Sequence, residues 1–187
     1  MQQGDIKAFD SFPKPDLILV TDIHKDHLNK DVVDSIKQTN TLIISSKDGV
    51  AGLEDGKILN NGETLIHEDI QIEAIPAYNL TPERQKFHPK GRGNGYVITL
   101  SGKRIYISGD TEDIPEMRQL KNIDYAFVCM NLPYTMTKEQ SASAVMAFKP
   151  KIVFPYHYRG KNSLSDLDKF KRLVTNPHIQ VKLLTWY

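Results

Sequence analysis

Asp22, His24, Asp26 and His27, four side chains that bind divalent cations well, fall within a six-residue stretch. They follow residues 16–21 (DLILVT), an almost unbroken apolar run that reads as a short strand buried on both faces. Alternate residues of an extended backbone share a face, so Asp22 and His24 point the same way off the strand end. The turn that follows can swing Asp26 and His27 to the other side of the same pocket, where two cations could sit side by side. Polar groups buried without partners are costly. Core packing therefore gives no reason to crowd them here, and a metal centre is the better reading than a solvated turn.

Three later stretches also place polar residues where apolar runs stop. Ser108-Gly109-Asp110-Thr111 directly follows KRIYI. Asp110 could bridge two cations beside a glycine that permits a tight turn, or it could simply cap a helix over residues 113–120. Tyr156-His157-Tyr158 follows KIVFP, and His157 reads as a ligand with hydrogen-bonding neighbours or as an interfacial residue. Residues 77–95 form a stretch too long and polar for a tight connection. It carries Arg84, Lys86, His88, Lys90 and Arg92 against one acid, Glu83. Such a loop suits an anionic substrate, a phosphate for example; the plainer reading is a solvated loop. His67 and His178 read as surface residues.

The elements that must position these groups alternate along the chain. Residues 31–38 form a short amphipathic helix through Val32, Val33 and Ile36, and residues 41–45 a second buried strand. Asn61-Gly62 is a hairpin signal, as is Ser101-Gly102 between GYVITL and KRIYIS. Ile70, Ile72 and Ala74 alternate with polar residues along a half-exposed strand. A strand over residues 124–130 follows. Thr137 with Gln140 is a capping box opening a helix with Val145, Met146 and Phe148 on its apolar face. Pro150 closes that helix before the strand at residues 151–155. Residues 164–174 read as a helix with Leu164, Leu167, Phe170, Leu173 and Val174 on one side, and residues 178–184 as a last strand. These βα units around central hairpins predict sheets covered by helices on their outer faces.

The chain has 187 residues, enough for one domain over residues 1–187 with a sizeable core. Its net charge of +1 argues against a general nucleic-acid or membrane surface. No apolar run approaches membrane-spanning length, and the N-terminus lacks a signal-peptide core. The single cysteine, Cys129, lies in an apolar run and excludes an intrachain disulfide. A soluble, cytoplasmic protein is expected.

With these pieces in order, the chain resembles the metallo-β-lactamase-fold hydrolases. It is most similar to the subgroup that includes L-ascorbate-6-phosphate lactonase and, more distantly, N-acylphosphatidylethanolamine phospholipase D. The residues that carry the likeness are TDIHKDH (residues 21–27), SGDT (108–111) and PYHYRG (155–160), in order and in strand context. The stretches around them agree as well, from Pro15 to the end of the chain. The resemblance implies an α+β fold, an αββα metallo-β-lactamase-type sandwich, with the site at one edge between its sheets. It implies two divalent metal ions, zinc or manganese, held by Asp22, His24, Asp26, His27, Asp110 and His157, with Asp110 between them. Asp26 and His88 are the candidate catalytic residues. Asn79, Arg84, Lys86, Lys90, Arg92 and Tyr158 are the candidate substrate contacts.

Three departures from the family pattern matter. Asp22 stands where relatives carry a histidine, which shifts the site toward harder ions such as manganese. Asn79 stands near the place of a mid-chain histidine, so that His88 either takes over as ligand or faces the substrate. Only Met1–Pro15 precede the signature strand, so the opening strands of the first sheet are expected to be missing. The implied function is hydrolysis of an ester, lactone or phosphodiester of a small anionic molecule by a metal-bound hydroxide. The alternative is a catalytically degenerate relative that binds a ligand or partner. Small-molecule partners are expected, with no nucleic acid and no membrane, and a homo-oligomer could form through the exposed N-terminal sheet edge.

Overall fold

The structure, a computed structural model, describes residues 6–186. A 3-10 helix, Ile6–Phe9, leads into strand β1 (Leu17–Leu19), α1 (Lys30–Ile36), β2 (Leu42–Ser45), α2 (Lys47–Val50) and β3 (Lys57–Ile58). Then come β4 (Thr64–His67), β5 (Ile70–Ala77), α3 (Pro82–Gln85), β6 (Gly93–Leu100) and β7 (Lys103–Ile107). The chain closes with α4 (Pro115–Arg118), β8 (Tyr125–Cys129), α5 (Lys138–Phe148), β9 (Ile152–Tyr156), α6 (Leu167–Leu173) and β10 (Gln180–Val181).

Among the described residues these strands form two sheets. One is three-stranded and parallel, in the order β1-β2-β3, with Leu17 opposite Leu42. The other is seven-stranded, in the order β10-β9-β8-β7-β6-β5-β4, antiparallel from β4 to β7 and parallel from β7 to β10. The sheets face each other across Ile44, Leu59, Ile72, Ala74 and Tyr96, all buried. The Tyr96 hydroxyl donates to the carbonyl of Val20 at 2.8 Å, tying the large sheet to the loop that leaves β1. On the outer face of the small sheet, Val33 of α1 packs with Val20 and Ile43. On the outer face of the large sheet, Val97, Tyr106, Ala126, Val128 and Val153 meet Ala142, Val145 and Phe148 of α5 and Phe170 of α6. Helix, sheet, sheet and helix therefore stack as the αββα sandwich that the sequence led us to expect.

Local signals held where they were self-contained. The Thr137 hydroxyl accepts from the Gln140 backbone, while the Gln140 side chain accepts from the Thr137 backbone. Ser101 and Gly102 turn between β6 and β7 with φ of 48° and 72°, the left-handed pair that a two-residue hairpin needs. Elsewhere the tertiary structure overrode the local reading. Asn61-Gly62 makes no hairpin, because β3 and β4 belong to different sheets and the chain crosses between them there. The tight turn lies instead at Glu68-Asp69, between the paired His67 and Ile70. The helix expected from Leu164 begins at Leu167, where Asp166 caps it; Leu164 is exposed and bridges to Arg159. The last strand shrinks to two residues. β1 is half-buried rather than buried on both faces, because it forms one edge of the small sheet.

Candidate metal centre

β5 and β7 both run antiparallel to β6, and β8 and β9 run parallel to β7. The C-terminal ends of β5, β7, β8 and β9 consequently share one edge of the large sheet, and each is followed within two residues by a polar one: Asn79, Ser108, Asn131 and His157. At β7 the chain turns through Gly109, whose φ is +60° and where an added Cβ would lie 2.8 Å from the Asn94 carbonyl oxygen. Glycine is required there by both conformation and space. The next residue, Asp110, is thereby aimed into the edge. At β9, His157 itself takes a left-handed conformation, φ 45°, a strain that recurs where a side chain must be aimed at a site. From the small sheet, residues 21–28 fold over the same edge, held by hydrogen bonds from the His27 and Leu28 amides to the His24 carbonyl, each 2.8 Å.

Asp110 is the hub. Its Oδ2 lies 3.2 Å from His88 Nε2 and 3.5 Å from His27 Nε2, and its Oδ1 lies 3.4 Å from His157 Nε2. On one side Asp22, His24 and His88 bring a ligand atom each within 4.8 Å of one another; on the other Asp26, His27 and His157 do the same. Donors around a tetrahedral ion at 2.0–2.1 Å stand about 3.3 Å apart, and the spacings around Asp110 are of that size.

Orphaned atoms support the fit. His27 Nε2 and Asp110 Oδ1 are buried with no hydrogen-bond partner, an arrangement that costs about 1–3 kcal/mol per group unless something else satisfies them. The other nitrogens of these rings are held from behind, as metal-ligating imidazoles usually are. His27 Nδ1 pairs with Thr21 Oγ1 at 2.7 Å, and His88 Nδ1 lies 3.2 Å from the Tyr134 carbonyl. The residues present therefore fit two divalent cations.

The charges around Asp110 act strongly on one another. Burial works to raise the Asp110 carboxyl, but His27, His157 and His88 outweigh it and hold the group well below the usual carboxylate range. Burial likewise works to lower His157, and Asp110 and Asp26 reverse it, raising the ring to about 10. The hydrogen bond from His157 in turn keeps the Asp26 carboxyl low.

His88, rather than Asn79, projects into the centre. Asn79 sits behind it, its amide donating to the Arg84 and Tyr134 carbonyls at 2.9 and 2.7 Å while its backbone N–H donates to the His88 carbonyl at 2.8 Å. The basic loop departs further from the picture of free cations. Arg84 is paired with Glu112 at 2.7 Å, and Lys90 lies over the Tyr78 ring and 3.4 Å from Glu116. Arg92 grips Asp22. Lys86 is exposed and rests over Phe87. Tyr158 is not brought to the centre through its hydroxyl, which donates to the Leu184 carbonyl and accepts from the Trp186 amide, each at 3.3 Å.

Two supporting residues escaped the sequence reading. Thr21 orients His27, and the buried Glu112 accepts from the Leu80 and Thr81 amides and the Thr81 hydroxyl as well as Arg84. Thr21 stands inside the motif, six residues from His27, and could have been suspected. Glu112 is about thirty positions from the groups it holds, and no local pattern marks it.

Comparison with known proteins agrees with this geometry. Residues 2–158 match the family described as a β-lactamase superfamily domain. A metal-dependent hydrolase of Thermococcus onnurineus is 32% identical over 170 residues, covering 85% of this chain and 74% of the relative. One of Pyrococcus furiosus is 32% identical over 177 residues, covering 88% and 76%. A solved structure from Parabacteroides distasonis, described as a metal-dependent hydrolase, superposes with a TM-score of 0.88 at 44% identity, covering 94% of this chain and 78% of that one. The chain thus spans about three quarters of the length of these relatives. Family match, fold and ligand geometry converge: the chain belongs to the β-lactamase superfamily, as a metal-dependent hydrolase.

Proposed function

We propose that the chain hydrolyses an ester, lactone or phosphodiester of a small anionic substrate with two divalent ions, zinc or manganese. The observation that carries this reading is the Asp110 carboxylate, set between two three-residue ligand groups with imidazole nitrogens 3.2–3.5 Å from its oxygens. Asp22, His24, His88 and Asp110 would hold one ion; Asp26, His27, His157 and Asp110 the other. When bound, the ions supply acidification of a water and polarisation of the scissile group.

The chain's own residues do the rest. Asp26, the most exposed of the candidate carboxylates with 38% of its side chain accessible, stands at the mouth of the site, where it would take a proton. Thr21 and the Tyr134 carbonyl hold His27 and His88 in orientation. Lys86 and Lys90, on the exposed side of the loop, offer the positive charge toward which an anion would be drawn.

The test is metal content after purification without chelator, followed by turnover of matched anionic and neutral ester, lactone and phosphodiester substrates. Near-stoichiometric metal and metal-dependent turnover support the proposal. A chain that takes up well below one equivalent even after reconstitution would instead be a ligand- or partner-binding relative. Among the described residues no helix is long and apolar enough to cross a membrane.

A further inference from the structure

The two ligand groups around Asp110 are not equivalent, and the difference comes from Arg92. Its Nε donates to Asp22 Oδ1 and its Nη2 to Asp22 Oδ2, each at 3.0 Å. The same Nη2 also donates to the Phe87 carbonyl. Asp22 is 2% exposed, and the Arg92 side chain 15%. A fork of this kind fixes the carboxylate in both position and charge. Asp22 Oδ2 nevertheless faces the centre as well, 2.5 Å from His24 Nδ1 and 3.7 Å from His88 Nε2. One oxygen is thus shared between a permanent internal cation and the place where a divalent ion would sit.

Among the described residues, no guanidinium fork like that of Arg92 on Asp22 is formed on Asp26. Asp26 has His157 as its ion-pair partner, and His27 and His157 both turn toward Asp110. Of the cations in residues 77–95, only Arg92 contacts a candidate ligand; Arg84 and Lys90 are directed to Glu112 and Glu116.

We propose that Arg92 sets the affinity of the Asp22–His24–His88 position by neutralising Asp22, so that the Asp26–His27–His157 position fills first and the Arg92 side fills second and more weakly. This rests on the two-ion reading above and gives it an order. The physical basis is direct. A carboxylate already paired with a guanidinium contributes almost no net charge to a second cation, and the guanidinium itself repels that cation at short range. A lone carboxylate would raise affinity for hard ions. The Asp22–Arg92 pair behaves as a neutral donor with a positive charge behind it. Asp22→His would set an imidazole against an unpaired guanidinium, so that substitution alone should weaken the second ion.

The experiment is calorimetry with zinc, and separately with manganese, on chelator-stripped wild type and on Arg92→Gln, Arg92→Lys and Asp22→Asn, with circular dichroism confirming each fold. Wild type should bind two ions in separate steps, the second at least about tenfold weaker, a gap of about 1.4 kcal/mol. Arg92→Gln, which removes the charge but keeps a donor, should tighten the second step about tenfold and leave the first unchanged. Arg92→Lys, which keeps the charge, should leave the wild-type gap in place. Asp22→Asn should lose the second ion and retain the first. Two wild-type ions of equal affinity overturn the proposal, and so does a folded Arg92→Gln that binds the second ion no more tightly than wild type. The wild-type steps decide the matter even where a variant does not fold. Wild type that binds no ion at all overturns the two-ion function itself, and this inference with it.

Discussion

Glu112 and Arg84 form an ion pair 2.7 Å long behind the metal centre, with the Glu112 side chain 1% exposed. Around it the Leu80 and Thr81 amides and the Thr81 hydroxyl also donate to the carboxylate, at 2.7–2.8 Å. Glu112 therefore anchors the segment that carries His88. Replacing it by Gln puts an amide where donors converge, and should cost on the order of 2–3 kcal/mol in urea unfolding while lowering turnover. Burial pushes the Glu112 carboxyl up, but its hydrogen bonds from Thr81, Leu80 and Arg84 outweigh this and hold it below its ordinary value. Its stabilising contribution is then complete above about pH 4.3, the ordinary glutamate value, and is lost as pH falls through the lowered folded value. The acid limb of wild-type stability should be steeper than that of Glu112→Gln. Parallel limbs would mean that the carboxylate is not ionised in the fold.

Asp110→Asn tests the bridge. An amide keeps the shape but supplies no charge to hold two cations, so metal content should fall to one equivalent or less and activity should be abolished. Retention of two tightly held ions would remove Asp110 from its bridging role. His157→Ala should strip chiefly the ion at the Asp26 and His27 side, leaving partial metal content and little turnover.

The exposed lysines test substrate charge. Lys86 has no carboxylate partner among the described residues, and Lys90, itself exposed, pairs with Glu116 and lies over the Tyr78 ring. Changing both to Ala should raise KM for anionic substrates severalfold and leave neutral analogues nearly unchanged. Added salt should erode the difference, since exposed charges are screened over about 8–10 Å. Equal effects on both substrates would mark the loop as merely solvated.

β1 pairs with β2 on one side and, among the described residues, with nothing on the other. Its free backbone groups can template another strand. We expect concentration-dependent self-association through this edge in light scattering on the chain as given. A monomer at all concentrations with an ordinary melting temperature would show the edge to be covered.

Much of this could be read directly from residue order. Apolar runs ending in Asp22, His24, Asp110 and His157 announce strands with ligands at their ends, because a buried strand followed by chelating side chains has few other uses. The Thr137–Gln140 cap and the Ser101-Gly102 turn were equally legible, since both partners lie within a few residues and the backbone geometry is set locally. The turn at Asn61-Gly62 was misread for the opposite reason: its sequence allows a hairpin, and only the separation of β3 and β4 into different sheets rules one out. His88 reached the centre, with Asn79 behind it, through a loop path that no periodicity encodes. The pairing of Asp22 with Arg92 joins residues 70 positions apart. Read alone, Asp22 is an added negative charge and Arg92 a free cation. Residue types and their local spacing thus determined that this chain carries metal-binding chemistry at strand ends. Which charges face one another across the site was decided only when the two sheets packed and brought the loops together, because electrostatic partners are chosen by distance in space and not by distance along the chain.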